Sequence, residues 1–225
     1  MRITSTLAAA TILIAACASP QKESAAVPLP MDTAFAGPAA AFDPRDLKPR
    51  VHGKPTEVLV LGTMHLSGAP EGFDAAVLEP LLDRLAAFKP DLIAIENLSG
   101  ESVYGLKAYE EIYPQSVEPY GARLLHGAAL AEAELNLTLP QAEAEVRRTL
   151  RDWPAQPTAA ERRRLAALFT ASGDTHSALV QWWRLPVEER VSGDGISADL
   201  AAFLNQYETR KNENHQIAAR LAVRL

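Results

Sequence analysis

Two short apolar segments flank an amphipathic one in the first half of the chain. Residues 57–61 (EVLVL) and 92–96 (LIAIE) are apolar runs of strand length, as expected of strands that are buried on both faces. Between them, residues 73–88 place leucines at helical spacing, and Pro80 fits the first turn of a helix that begins near Glu79. The pattern predicts a βαβ unit with parallel strands, and therefore an α/β fold.

The rest of the chain is predicted to be mostly helical, because residues that cap helices recur along it. The boundary signals are Pro140 at one helix start, a Thr158–Glu161 capping box and Gly173 around a second helix, Asp174 before a third and Ser197 before a fourth. Residues 56–225 are therefore expected to form one α/β domain with a helical carboxyl-terminal portion. Residues 18–55, which are rich in proline and alanine, are expected to form a disordered tether.

The two predicted strands each end in a residue that can do chemistry. Gly62-Thr63-Met64-His65 follows the first strand, and the second strand ends at Glu96. In open α/β sheets, ligands bind beyond the carboxyl ends of the strands, so we expect His65 and Glu96 to meet at this edge. An imidazole beside a carboxylate can bind a divalent metal ion, or can act as a base held by its orienting partner. Either residue alone is more often a solvated strand end.

Composition narrows the class of protein. The chain has 225 residues, of which 48% are hydrophobic, and a net charge of −6, which is typical of a soluble globular protein with one domain. The arginine clusters at residues 147–148 and 162–164 have glutamates beside them, so pairing on a solvated helix face explains them. Binding to nucleic acid is not expected.

The first residues indicate export. Arg2 precedes a short apolar run, and residues 14–17 (IAAC) resemble the bacterial lipobox, in which the cysteine is lipidated. We therefore expect residues 1–17 to be a lipoprotein signal peptide, with Cys17 as the lipidation site and a lipid anchor as the link to the membrane. Ala18 after the cysteine favours the periplasmic face of the outer membrane. An ordinary cleaved signal with an incidental cysteine is the alternative.

Residues 58–100 also resemble a known group of proteins. The Gly62-Thr63-Met64-His65 turn and the Lys89-Pro90-Asp91 lead into a strand ending at Glu96 look like the amino-terminal part of the TraB, Tiki and erythromycin-esterase-like superfamily, which includes ChaN. A fainter likeness covers residues 207–221, where Asn214 and Ile217-Ala218 match a helix of the superfamily but Glu213 replaces an arginine.

The resemblance implies an incomplete version of an erythromycin-esterase-like or ChaN-like fold, and a metal-dependent hydrolase. His65 and Glu96 would line the active site and hold a divalent metal ion (Mn, Zn, Co or Fe), with an unknown small molecule or peptide as substrate. The alternative, by similarity to ChaN, is a lipoprotein that binds haem or iron through His65 and one of Tyr104, Tyr109 or Tyr113.

The chain ends at Leu225 without the second Gly-x-x-His of the superfamily. Because two parallel strands alone make no stable sheet, we expect the chain to be a fragment or an inactive truncated product. The alternative is that another chain supplies the missing strands, and the oligomeric state stays open. For His215, a third metal ligand is the alternative to a solvated histidine, whereas His126, His176 and the Trp182-Trp183 pair are expected to be structural. His52 falls in the tether.

Overall fold

The computed structural model describes residues 53–225. By its internal contacts the chain divides into two units, Met1–Leu59 and Val60–Leu225, and the helices found within residues 53–225 belong to the second. Of the first unit, residues 53–59 are described and contain an exposed ion pair between Lys54 and Glu57, at 3.2 Å. The predicted signal peptide with Cys17, and the tether up to His52, lie outside the described residues.

The second unit is helical. Its α-helices are α1 (Glu79–Phe88), α2 (Gly100–Ala108), α3 (Pro114–Leu135), α4 (Leu139–Arg151), α5 (Ala159–Ala171), α6 (Thr175–Trp183), α7 (Ala198–Asn205) and α8 (Arg220–Arg224). A π-helical segment, Asn214–Ala219, leads directly into α8, and short 3₁₀ turns occupy Leu66–Gly68, Ala75–Leu78 and Val187–Glu189. No helix in the described part of the chain is both long and apolar enough to cross a membrane.

The predicted α/β fold is wrong. Residues 53–225 are 61% helical and contain no sheet, and their only strand-type pairing is an isolated bridge between Gly193 and Ile196. The predicted strands 57–61 and 92–96 are not buried, since Val60 is 88% exposed and Leu92 is 80% exposed. The physical reason is the lack of further strands: two five-residue segments make too little sheet to stabilise themselves, and the helical region supplies none.

The helix boundaries follow the predicted signals. Pro80 lies at the start of α1 and Pro140 at the start of α4, where a missing N–H costs nothing. Asp174 and Ser197 cap α6 and α7 through their side chains, and α5 opens with the predicted capping box. Thr158 accepts from the Glu161 N–H at 3.2 Å, and Glu161 accepts from the Thr158 N–H at 2.7 Å. These predictions are confirmed.

The main core lies among α3, α5, α6 and α7. Its fully buried side chains include Ala167, Leu179, Trp182, Leu200 and Leu204. Trp182 donates its indole N–H to Asn205 Oδ1 at 2.8 Å, which satisfies the one polar atom of this large side chain. The predicted structural role of Trp182 is therefore confirmed.

A second, smaller apolar cluster joins the beginning and the end of this unit. Leu82 and Leu85 of α1 pack with Ile217 and Leu221, and Ile93 covers their edge. Arg224 forms ion pairs with Asp83, at 2.5 Å, and with Glu79, both of α1. Ile93 thus packs on helices instead of in a sheet, and the cluster brings the π-helical segment close to the loops that contain His65 and Glu96.

Candidate functional site

His65 is held by Glu213. His65 lies directly before the turn Leu66–Gly68, and its Nδ1 is 2.7 Å from Oε1 of Glu213, while the Leu66 N–H donates to Oε2 of the same carboxylate at 3.2 Å. Lys211 fastens the same loop, because its Nζ donates to the carbonyl oxygen of Pro70 at 2.6 Å. Lys211 Nζ also donates to the carbonyl oxygen of Ala69 at 3.3 Å. The loop after residue 64 is therefore tied to residues 211–213 by four polar contacts.

His65 and Glu213 stabilise each other in their charged forms, imidazolium and carboxylate. Glu213 raises the pKa of the His65 imidazole above its ordinary value through the hydrogen bond and through charge attraction, and Glu96 adds a smaller attraction. Burial alone would raise the pKa of Glu213, but the hydrogen bonds from His65 and from backbone N–H groups outweigh it and lower that pKa. Glu213 is therefore a carboxylate at neutral pH.

The orientation of the imidazole follows from this contact. Since a carboxylate can only accept, the hydrogen on the imidazole belongs on Nδ1, and Nε2 is left with its lone pair for a proton or a ligand. The side chain of His65 is 77% exposed, whereas that of Glu213 is 20% exposed. The half-buried carboxylate of Glu213 thus orients an imidazole, that of His65, which is accessible as a base.

Glu96 lies in the same region but is not the hydrogen-bond partner of His65. Its carbonyl oxygen accepts from Asn214 Nδ2 at 2.9 Å, and its carboxylate is close enough to raise the pKa of His65. The prediction that a sheet edge brings His65 and Glu96 together is wrong. Glu213 and Asn214 of the helical region join the two loops that contain them.

Beside this site, His176 and His215 stack on each other. Their ring centroids are 5.0 Å apart with an angle of 11° between the planes, and the ring of Tyr207 contacts His215 edge-on at 4.7 Å. Burial lowers the pKa of both imidazoles, that of His215 to about 3, and Arg210 and Arg123 contribute to the latter. Both histidines are therefore neutral at pH 7.

The stacked pair lines a pocket of about 340 Å³, which also contains Arg123, Arg210 and Asn97. Asn97 Nδ2 lies 3.4 Å from Nδ1 of His176. His215 is 5% exposed, and its Nδ1 has no hydrogen-bond partner within residues 53–225. A larger groove of about 470 Å³ between α4 and α5 contains no histidine.

The predicted metal ion finds too few donors for a three-ligand centre. Catalytic zinc normally takes three protein ligands, and within the described residues no group of three or more His, Cys, Asp or Glu side chains is placed to hold a metal ion. His215 contacts His176 and Tyr207 instead of His65. The metal ion stays a prediction of the resemblance.

The other predicted residues lie elsewhere. His126 of α3 packs edge-on against Phe203 at 5.8 Å, as a structural residue would. Tyr104, Tyr109 and Tyr113 are about half exposed, and no aromatic contact or hydrogen bond joins them to His65 in the described structure. Haem binding through these tyrosines therefore stays a prediction.

The sequence reasoning missed Glu213 as a partner of His65. The one available signal was its position directly before Asn214, where the superfamily helix has an arginine. Treating that difference as a departure from the pattern concealed an acid that the fold places against His65.

Neither a family model, nor a curated protein, nor a solved structure matches this chain. The function must therefore be inferred from the geometry of the site.

Proposed function

We propose that this chain is a hydrolase in which His65 is the general base and Glu213 is its orienting carboxylate. The observation that supports the proposal is the 2.7 Å contact between His65 Nδ1 and Glu213 Oε1, combined with an imidazole that is 77% exposed. A base paired in this way has a fixed tautomer and a stabilised protonated form, which are the properties that general-base catalysis requires.

The reaction can be written with these groups alone. Nε2 of His65 takes a proton from a water molecule while the water oxygen forms a bond to the carbonyl carbon of an ester or lactone. The imidazolium is stabilised by Glu213, and it returns the proton to the leaving oxygen as the C–O bond breaks. The products are a carboxylic acid and an alcohol, joined in one molecule when the substrate is a lactone.

Glu96 is proposed as a second acidic group at the site. Its charge adds to that of Glu213 in raising the pKa of His65, so it also favours the protonated imidazole. The resemblance implies that Glu96 and His65 hold a divalent metal ion, which would supply an activated water. A group from the substrate or further ligands would have to complete such a centre.

We also propose that the protein is exported and lipid-anchored through Cys17. The support is the sequence of residues 14–17 and the fact that Cys17 is the only cysteine of the chain. An anchor at this position would place the helical unit at the surface of a bacterial membrane.

The test is a hydrolysis screen of the purified full chain with activated esters and simple lactones, before and after chelation and with added Mn²⁺ or Zn²⁺. His65→Ala and Glu213→Gln are each expected to lower the rate by roughly 10²–10⁴-fold, the usual contribution of general-base catalysis. Glu143→Gln, which removes an exposed acid paired with Arg147 on α4, is the matched control. An active wild type whose rate is unchanged by His65→Ala, or no hydrolysis of any ester or lactone, would overturn the proposal.

A further inference from the structure

The pocket beside the stacked histidines has no part in the proposed hydrolysis. It lies among α3, α6 and residues 207–215, and its volume of about 340 Å³ falls in the range of small-molecule sites. The pocket adjoins the His65 site, since Asn97 and Asn214 line it and directly follow Glu96 and Glu213.

His215, which lines the pocket, has a buried polar atom without a partner. Nδ1 of His215 has no hydrogen-bond partner among the described residues, although the residue is 5% exposed. Leaving such an atom unsatisfied is unfavourable, because its hydrogen bond to water is lost without replacement. The neutral imidazole can place its hydrogen on Nδ1, which would then be a donor to a molecule bound in the pocket.

Positive charge dominates around this atom. Arg210 and Arg123 both lower the pKa of His215, and the charge of Glu213 opposes them with a smaller effect. Among the pocket's own lining residues the one acid is Glu118, which is exposed. Asp174, close to His176, is engaged in capping α6 through the Ser177 N–H at 3.0 Å.

The Arg123 side chain and the backbone at Arg210 are held in place before any ligand binds. Arg123 donates to Gln206 Oε1 at 3.0 Å and lies over the ring of Tyr207 at 5.6 Å. The turn that contains Arg210 is fixed by Gln216, a buried side chain whose Nε2 donates to the carbonyl oxygens of Glu208 at 3.0 Å and Arg210 at 2.9 Å. A fixed donor set lowers the entropic cost of binding.

We infer that this pocket binds a small molecule through an oxyanion group, a carboxylate or a phosphate, that Arg123 and Arg210 hold and to which His215 Nδ1 donates a hydrogen bond. Arginine is well suited to both groups because its guanidinium offers parallel donors to two oxygens. This binding does not depend on hydrolysis by His65. If one molecule carries both the oxyanion group and the ester or lactone, the pocket binds the oxyanion group while the ester or lactone is hydrolysed at His65.

The experiment is an NMR titration of the histidine ring signals of the full chain with inorganic phosphate and, separately, with acetate, at constant ionic strength set with chloride. Saturable shifts of the His176 and His215 signals are expected with at least one of the two, and the stronger anion identifies the source of the oxyanion. Arg210→Gln is expected to weaken this binding by about tenfold or more.

Two controls keep the outcomes separate. Arg147→Gln, at an exposed arginine on α4 paired with Glu143, should bind both anions as the wild type does. His65→Ala should also retain binding, so that a failure of the proposed hydrolysis leaves this inference untouched. Non-saturable shifts with both anions, or an Arg210→Gln variant that binds as tightly as the wild type, would overturn the inference.

Discussion

His65 and Glu213 are 148 positions apart in the chain, yet Nδ1 of the first lies 2.7 Å from Oε1 of the second. The contact joins a loop near the start of the helical unit to the residue that precedes the π-helical segment. It fixes the base of the proposed reaction and connects the two ends of the unit at a polar point, next to the apolar cluster of α1 and α8.

Removing the carboxylate should change how His65 titrates. Glu213→Gln is expected to lower the pKa of His65 toward its ordinary value of 6.5, because the hydrogen bond and the charge attraction that raise it are both weakened. Glu96→Gln should lower the same pKa by less, since the Glu96 charge is the smallest of the contributions. NMR titration of the His65 ring protons measures both. Equal effects of the two substitutions would contradict the assignment of Glu213 as the direct partner.

The same pair predicts a pH dependence of stability. The raised pKa of His65 means that its contribution is complete below 6.5 and is lost as the pH rises through the folded-state pKa. The lowered pKa of Glu213 means that its contribution is present above 4.5 and is lost as the pH falls through the folded-state pKa. The difference in unfolding free energy between wild type and Glu213→Gln should therefore be largest between these two values, as urea unfolding at a series of pH values would measure. A difference that keeps growing above pH 8 would be incompatible with this pair.

The lowered pKa of His215 predicts that the stability of the protein falls in acid, whereas the raised pKa of His65 favours stability at low pH. The pKa of His215 is lowered by burial to about 3 in the folded protein, so the unfolded chain binds a proton from pH 6.5 downward while the folded chain does not. Stability should fall over this range, by about 5 kcal/mol at most from this residue. His215→Gln should flatten the decline, as measured by urea unfolding between pH 7 and pH 4. His126→Gln on α3 is the comparison variant, which shows how much of any change comes from removing a histidine elsewhere in the unit.

Gly127 is expected to be required for packing. A Cβ at this position of α3 would lie 2.5 Å from Cε1 and Cζ of Phe203, a buried ring of α7. Gly127→Ala should therefore destabilise the protein by about 1–3 kcal/mol, the usual cost of overpacking a core. Gly105→Ala on α2, where a Cβ meets nothing within 4 Å, should be neutral or stabilising because alanine favours helix. Thermal unfolding of both variants compares them, and equal melting temperatures would refute the predicted clash.

Cys17 is expected to accept lipid. In a Gram-negative host, radiolabelled palmitate should be incorporated into the wild-type chain and not into Cys17→Ser, since the chain contains no other cysteine. Absence of label in both proteins, with the wild-type chain released from the membrane fraction as Cys17→Ser is, would favour an ordinary cleaved signal peptide.

The local signals in the sequence were sufficient for the starts of α1, α4, α5, α6 and α7, whereas no start was predicted for α2 or α3. Capping residues such as Thr158, Asp174 and Ser197 act on backbone N–H groups within three positions, so a short stretch of sequence contains everything that decides the helix start. The same holds for α1, whose first turn accepts Pro80.

The sheet and the site depend on distant parts of the chain. An apolar run such as residues 92–96 suits a strand, but whether it pairs is decided by the presence of other strands, and in this fold Ile93 packs against α1 and the π-helical segment instead. Likewise, the residues that precede His65 and Glu96 in the sequence identify these two as candidates for chemistry. Glu213 lies beside His65 only because of tertiary packing, which the local sequence does not show.

The π-helical geometry of Asn214–Ala219 makes this stretch sensitive to insertions and deletions. A π-helical turn accommodates one residue more than an α-helical turn, and each residue of an α-helix rotates its side chain by roughly 100°. Loss of a single residue here would allow an ordinary α-helix while turning His215 and Gln216 away from their places relative to Leu221. The number of residues in this segment, as much as their identity, therefore determines which side chains face the pocket and which face α1.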